Sequence, residues 1–429
     1  MTTDHIALRC GESTLTEPQL QAEIRRLRAE QAGIAPGRLK LPGRIELVLE
    51  RDPVLALTTA LAVREAGGVP LLGDDRWDAE YRQSARRMAD GLAPAPDAAW
   101  ATLSSGSTGA PRVIVRSHES WASSFPALTR LLSLTRDDVV YLPSPLASSV
   151  SVFSAVYARS VGATVLLSRT RTVSDADLAW ATVLHGTPQA LRTVAERAEC
   201  GVAHRLRLAL IGGAHLDPAL RERAEAVGLT VISYYGAAEL SFVAVDVDGR
   251  GLRPFPGVEV KVEDRELWVR SPFFASGYLD GAAGSFRTDR DGWGTVGDLV
   301  EIDGSSGGAW PALRLRGRRD GAILTAAATV IPEDVEAALR EIEGIDDAVV
   351  FGIPHPIIGA LVGAVLEPSP GQPVPSLDAV RRDARNRLAS SHLPRRWYWT
   401  AQLPRTASGK PSRAEIRRAA LDGEVARLV

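Results

Sequence analysis

Short apolar runs alternate with helical stretches from the N-terminus to Gly236, and this alternation limits the fold more than any other feature of the sequence. Ile45–Leu49, Val69–Leu72, Val113–Val115, Val139–Leu142, Ala163–Leu167, Leu206–Ile211 and Thr230–Ser233 read as strands. Helices are predicted after Thr16-Glu17-Pro18, through Leu20, Ile24 and Leu27, and then over Pro53–Ala66, Val150–Val161, Pro188–Ala198 and Pro218–Ala226. Pro18 sits just inside its helix start, and Gly67-Gly68 closes the second helix. Strands separated by helices need crossover connections, so the pattern predicts an α/β fold with doubly wound, largely parallel sheets. Folds of this class hold their ligands in the loops at the carboxyl ends of the strands.

The texture changes at Gly257. Val258–Val262 and Glu266–Val269 alternate with period two, as half-buried antiparallel strands do, which predicts a small β-subdomain. A boundary near Gly317–Gly321 leads into an α+β unit with helices over Pro332–Ile342 and Leu377–Leu388 and a strand over Ala348–Ile353. The expected division is residues 1–317 and 318–429, in keeping with 429 residues, too long a chain for one ordinary core. A net charge of −2 gives no general attraction to nucleic acid or to an anionic membrane. No apolar run reaches the roughly 18 residues of a membrane span, and the N-terminus has no signal-peptide pattern. Cys10 and Cys200 are too few for a disulfide framework and fit a reducing, cytoplasmic setting. The histidines lack metal-ligand spacing.

The densest polar stretch is Ser104-Ser105-Gly106-Ser107-Thr108-Gly109-Ala110-Pro111-Arg112. Glycines let backbone N–H groups approach a ligand closely, hydroxyls suit phosphate oxygens, and Arg112 supplies charge. The same residues also describe a polar turn between two strands. Tyr235-Gly236-Ala237-Ala238-Glu239 offers an aromatic face and a carboxylate, suited to a base and a Mg²⁺ ion, or simply a strand end. Gly297-Asp298 places a carboxylate in a tight turn, and Gly317-Arg318-Arg319-Asp320 is a charged linker. Lysine is scarce: of 50 basic residues only Lys40, Lys261 and Lys410 are lysine. A lysine kept in the small-residue loop Pro404–Lys410 therefore points to a task that arginine does not perform.

In this order the motifs resemble the adenylate-forming superfamily of acyl-CoA synthetases, carrier-loading adenylation domains and luciferases, and within it the compact bacterial ligases. The resemblance runs through Ser104–Arg112, Tyr235–Glu239, Gly297-Asp298, Gly317–Asp320, Val330–Glu336 and Pro404–Lys410 with Arg413. It implies that Ser104, Ser105, Gly106, Ser107, Thr108, Gly109 and Arg112 wrap the β- and γ-phosphates of ATP, with Thr108 and Glu239 near Mg²⁺. Tyr235 and Gly236 would meet adenine, flanked by Gly213 and Ala214, while Asp298 and Arg318 would hold the ribose. Asp320 would be the hinge of a mobile C-terminal domain, and Lys410 would bridge the substrate carboxylate and the α-phosphate. A carboxylate attacking a phosphate is anion meeting anion, so positioning and cation clamps carry such catalysis.

The implied activity is ATP-dependent formation of an acyl-AMP with release of pyrophosphate, then transfer to a thiol, either CoA or a carrier protein's phosphopantetheine. The small-molecule acid would lie among Ala147–Phe153, including Ser148 and Val152, with His185, Gly186 and Gly212. These walls hold no dedicated cation, which predicts a largely apolar aliphatic or aryl acid. The chain departs from the family pattern at Ala238, Val296, Gly321 and Thr325–Thr329. In relatives the last of these segments lines the pantetheine tunnel. Two other readings follow from the departures: a stand-alone adenylating enzyme that serves a carrier protein or an amine, and a degenerate nucleotide-binding homologue.

Overall fold

In the computed structural model the described residues are 5–33, 43–77, 79–91, 94–104, 112–170, 172–279, 285–303, 312–318, 321, 323–324, 329–355, 359–388, 392–406 and 410–428. The largest sheet has nine strands in the order Arg253–Pro254, Ser241–Asp246, Thr230–Ala237, Leu208–Ile211, Val183–Gly186, Val139–Leu142, Thr164–Leu167, Ile6–Cys10 and Ser13–Thr16. From Thr230–Ala237 through Ile6–Cys10 all neighbours run parallel, and the strands at both margins are antiparallel. A second sheet pairs Ile45–Val48, Val69–Leu72 and Ala98–Ser104 in parallel, then adds Arg112–Ser117 and Gly277–Tyr278 antiparallel. Both sheets confirm the α/β expectation.

Helix Ser149–Val161 lies against the large sheet and carries Val152, Phe153, Ser154 and Tyr157, all buried. Ser148 is its N-cap and accepts from the Ser151 amide at 3.2 Å, satisfying one donor left open at the helix start. A continuous aromatic chain crosses this core, from Tyr234 to Phe242 (4.5 Å between ring centroids), Phe153 (5.3 Å) and Trp121 (5.6 Å). The other face of the sheet, with Leu184, Ala209, Ile211 and Val231, packs with Leu191 and Val194 of helix Pro188–Glu199 and Leu220 of helix Pro218–Ala226.

The period-two residues after Gly257 form a third sheet, in which Glu259–Glu263 pairs with Glu266–Arg270 and Asp298–Asp303 with Ala312–Arg318. The C-terminal sheet runs Ile345–His355, Gly359–Pro368, Arg396–Trp399 and Ala426–Arg427. Its alternating residues feed two cores, as pleating requires. Val350 joins Val335, Leu339 and Trp397 on one side, while Val349 and Phe351 join Leu403, Ile416 and Ala420 on the other. Cys10 is buried and Cys200 is exposed. Among the described residues no helix is long and apolar enough to cross a membrane.

Candidate active site

The site gathers at the carboxyl end of the strand Thr230–Ala237. The strand continues past Ser233, so the Tyr-Gly motif is strand rather than loop. A bulge falls between Tyr235 and Gly236, where a Cβ on Gly236 would stand 2.2 Å from the Ser241 carbonyl oxygen. Only glycine fits that approach. The bulge carries the chain from Tyr235 to Glu239 within four residues. The Tyr235 hydroxyl donates to the Asp298 carboxylate, tying the predicted adenine residue to the predicted ribose residue. Asp298 is also the strand partner of Arg318, whose side chain lies outside the described residues.

Glu239 is buried and its Oε1 accepts from the Tyr278 hydroxyl at 2.8 Å. The Arg112 guanidinium lies 5.7 Å above the Tyr278 ring, so the cation of the polar loop and the carboxylate of the Tyr-Gly motif meet on one tyrosine. Ser104 and Arg112 are cross-strand partners on adjacent antiparallel strands. Ser105, Gly106, Ser107, Thr108 and Gly109 lie outside the described residues.

Arg116, two turns of pleat beyond Arg112, is a feature sequence reasoning missed. It is fully buried, and its Nη2 donates to the Ala238 carbonyl at 2.6 Å, its Nη1 to Ser120 Oγ at 3.1 Å and to the Phe273 carbonyl at 3.3 Å. Burial pushes its pKa down to about 9, and the negative charge of Glu239 opposes that shift. The guanidinium thus holds the backbone at Ala238, next to Glu239, from behind. Its one signal in the sequence is a charge inside the apolar run Arg112–Ser117. Glu239 is a hard oxygen donor of the kind that binds Mg²⁺ alongside phosphate oxygens. Among the described residues no group of three or more His, Cys, Asp or Glu side chains is placed to hold a metal ion.

Lys410 comes from the far end of the sequence. A Cβ built on Gly213 would lie 3.5 Å from Lys410 Cε, so the lysine stem rests on the Gly212-Gly213 turn after strand Leu208–Ile211. Two arginines with buried or half-buried carboxylate partners flank Lys410 in the sequence. Arg405 donates to Asp347 at 2.9 Å and Glu367 at 3.2 Å, and Arg413 pairs with Glu333 at 2.7 Å and Glu336 at 2.6 Å. Between them Thr406 N–H donates to the Lys410 carbonyl at 2.7 Å. The two glutamates belong to the Val330–Glu336 motif, which the structure explains as the clamp on Arg413. Burial raises the Glu336 carboxyl above its ordinary range against the pull of Arg413, and Glu336 also accepts from the Val350 amide at 2.8 Å. A further ion pair, Arg192 to Asp346, joins helix Pro188–Glu199 to the C-terminal sheet. Asp320 lies outside the described residues, as does 325–328.

On the other face, Gly186 and Gly212 are adjacent strand ends joined by Gly212 N–H donating to the Gly186 carbonyl at 3.1 Å. Gly213 is half-buried and Ala214 exposed. His185 is buried and its two nitrogens meet Ser154 Oγ at 2.5 Å and the Tyr234 hydroxyl at 3.0 Å. Burial depresses its pKa to about 3, so it is a neutral imidazole. Val152 is only 1% exposed and sits within the main core. Ser148 is spent as the helix cap and on Ser151 Oγ at 2.9 Å. Val296, one of the departures from the expected motif, is likewise a core residue.

Residues 4–279 match the family model of the AMP-binding enzymes, and residues 334–410 match that of the AMP-binding enzyme C-terminal domain. An uncharacterized acyl–CoA ligase of Bacillus subtilis is 27% identical over 74% of this chain and 67% of its own. A putative long chain fatty acid–CoA ligase of Staphylococcus epidermidis is 24% identical over 98% and 96%. Among solved structures, the o-succinylbenzoate CoA synthetase of Bacillus subtilis with its acyl-adenylate intermediate superposes with a TM-score of 0.79 at 20% identity, covering 97% of this chain and 96% of that one. The amide bond synthetase of Marinactinospora thermotolerans gives 0.78 at 21% identity, over 96% of each chain. With family models matching residues 4–279 and 334–410, the chain belongs to the AMP-binding enzymes.

Proposed function

We propose that the protein is an AMP-forming acid–thiol ligase, which activates a carboxylic acid with ATP and passes the acyl group from acyl-AMP to CoA. The oxygen of the acid carboxylate bonds to the α-phosphorus as the bond to pyrophosphate breaks. The thiol sulfur then bonds to the acyl carbon as AMP leaves. The contact of Lys410 with Gly213 carries this reading, because it brings a scarce lysine from the C-terminal unit to the loop between the predicted nucleotide and acid residues.

In this reading Tyr235 stacks on adenine beside Gly236, Gly213 and Ala214, and Asp298 with Arg318 holds the ribose. Ser104–Gly109 and Arg112 grip the pyrophosphate, and Thr108 and Glu239 hold Mg²⁺, whose charge neutralises the phosphates. Lys410 bridges the two anions that must meet, as a compact cation on a flexible stem. The functional division is 1–317 for ATP and acid and 318–429 for the lysine-bearing lid, with Asp320 as its hinge. The acid is largely apolar, and the acceptor is CoA, as the names of the relatives suggest. The reading predicts acid-dependent exchange of pyrophosphate into ATP by the wild type, and thioester only when CoA is added. Exchange without acid, or thioester with a carrier protein but not with CoA, would contradict it.

A further inference from the structure

We propose that Tyr234 closes the acid pocket directly behind the reacting carboxylate, so that the substrate is a short aliphatic acid and this tyrosine sets the length limit. The inference rests on the acid-activating reading above.

The lysine that would hold the carboxylate rests on Gly213. One residue away, a Cβ on Gly212 would stand 2.2 Å from Tyr234 Cζ and 2.6 Å from its hydroxyl. The phenol end of the Tyr234 ring therefore occupies the space a side chain at residue 212 would take, a seat that exists only because that residue is glycine. The ring end thus sits one residue along the chain from the glycine that carries the lysine stem. The space under the sheet that could house a longer tail is filled. Phe242, Phe153 and Val152 are each less than 5% exposed, and the aromatic chain from Tyr234 to Trp121 is continuous.

The ring is also held in place. Ser154 Oγ donates to the Val150 carbonyl at 2.7 Å, so it accepts from His185 Nδ1–H. His185 Nε2 is then an acceptor and takes the Tyr234 O–H. Each donor in this relay is spent, and the path runs from the tyrosine into a helix carbonyl. A buried neutral imidazole is the natural link for such a chain, since it donates from one nitrogen and accepts on the other. Tyr234 itself is half-buried, as a pocket wall should be, while its hydroxyl end is sunk in the relay.

The test is acid-dependent pyrophosphate exchange with acetate, propanoate, butanoate, hexanoate, octanoate and benzoate, in the wild type, Tyr234→Ala and Tyr234→Phe. The wild type should be best with the three shortest acids, and kcat/KM should fall at least about tenfold by octanoate and benzoate. Tyr234→Ala should raise kcat/KM for the longer acids at least about tenfold, with the KM for ATP unmoved. Tyr234→Phe, which keeps the volume and loses only the tether, should keep the short-acid preference and raise the acid KM with kcat retained. A wild type that prefers octanoate or benzoate, or a Tyr234→Ala rank order equal to the wild type's, would overturn the proposal while leaving acid activation standing. Absence of exchange with every acid in the wild type would instead sink the acid-activating reading.

Discussion

Tyr234 and Tyr235 are neighbours on one strand, and the two halves of the site differ as their surroundings do. Successive residues of a strand point to opposite faces. Tyr235 reaches a carboxylate, Asp298, in a region of charged and polar groups: Arg112, Arg116, Glu239 and Tyr278. Tyr234 reaches a neutral imidazole among phenylalanines, with its hydroxyl bond relayed into a helix. The first environment holds fixed charge. The second is apolar, with its polar atoms paired internally. In the reading proposed above, one side binds by electrostatics and the other selects by volume. The joint between them is the Gly212-Gly213 turn, where Tyr234 covers one glycine and Lys410 the other.

The largest effect that would break this contrast is on stability. Arg116→Met leaves the Ala238 and Phe273 carbonyls and Ser120 without their donor, and should cost about 3 kcal/mol in urea unfolding. A loss under about 0.5 kcal/mol would mean that the buried cation does not organise the nucleotide side. Next, Tyr235→Ala should raise the KM for ATP about 30-fold through lost stacking, with the order of preferred acids unchanged. A change in acid preference there would blur the division between the two tyrosines.

The smallest effect separates the acid side by pH. The folded-state pKa of His185 is about 3, below its ordinary 6.5, so between those values the unfolded chain binds a proton that the folded chain does not. Its contribution is fully present above pH 6.5 and is lost as pH falls toward 3, at up to about 1.4 kcal/mol per pH unit. His185→Gln should flatten the fall in stability between pH 6.5 and 5, where carboxylates contribute least. Equal slopes in the two proteins would mean that the imidazole is not held neutral.

Much of the fold was legible in the sequence because its strands are short apolar runs bounded by glycine, and its helices carry clear periodic faces. The start of helix Pro53–Glu65 is a local signal of this kind: Asp52 caps it through the Val54 and Leu55 amides. The motif residues Tyr235, Asp298, Glu239 and Arg112 could be chosen in advance because each is a polar or charged group within a short glycine-containing motif. The relay of Ser154, His185 and Tyr234 could not, since it joins three elements and each residue alone is unremarkable for its position. His185 could be chosen from the sequence as a pocket wall, yet it is the hidden support of one. Val152 fails as a wall for a simpler reason, because the helix turns that side chain into the core. The strand Ile6–Cys10, which pairs with Ser13–Thr16 on one side and with distant Thr164–Leu167 on the other, was also missed.

If Lys410 on Gly213 is the adenylating arrangement, Lys410→Ala separates the two half-reactions. Acid-dependent pyrophosphate exchange should fall at least about 100-fold, while transfer from supplied acyl-AMP to CoA stays within a few-fold of the wild type. Exchange that survives the substitution, or equal loss of both half-reactions, would contradict it.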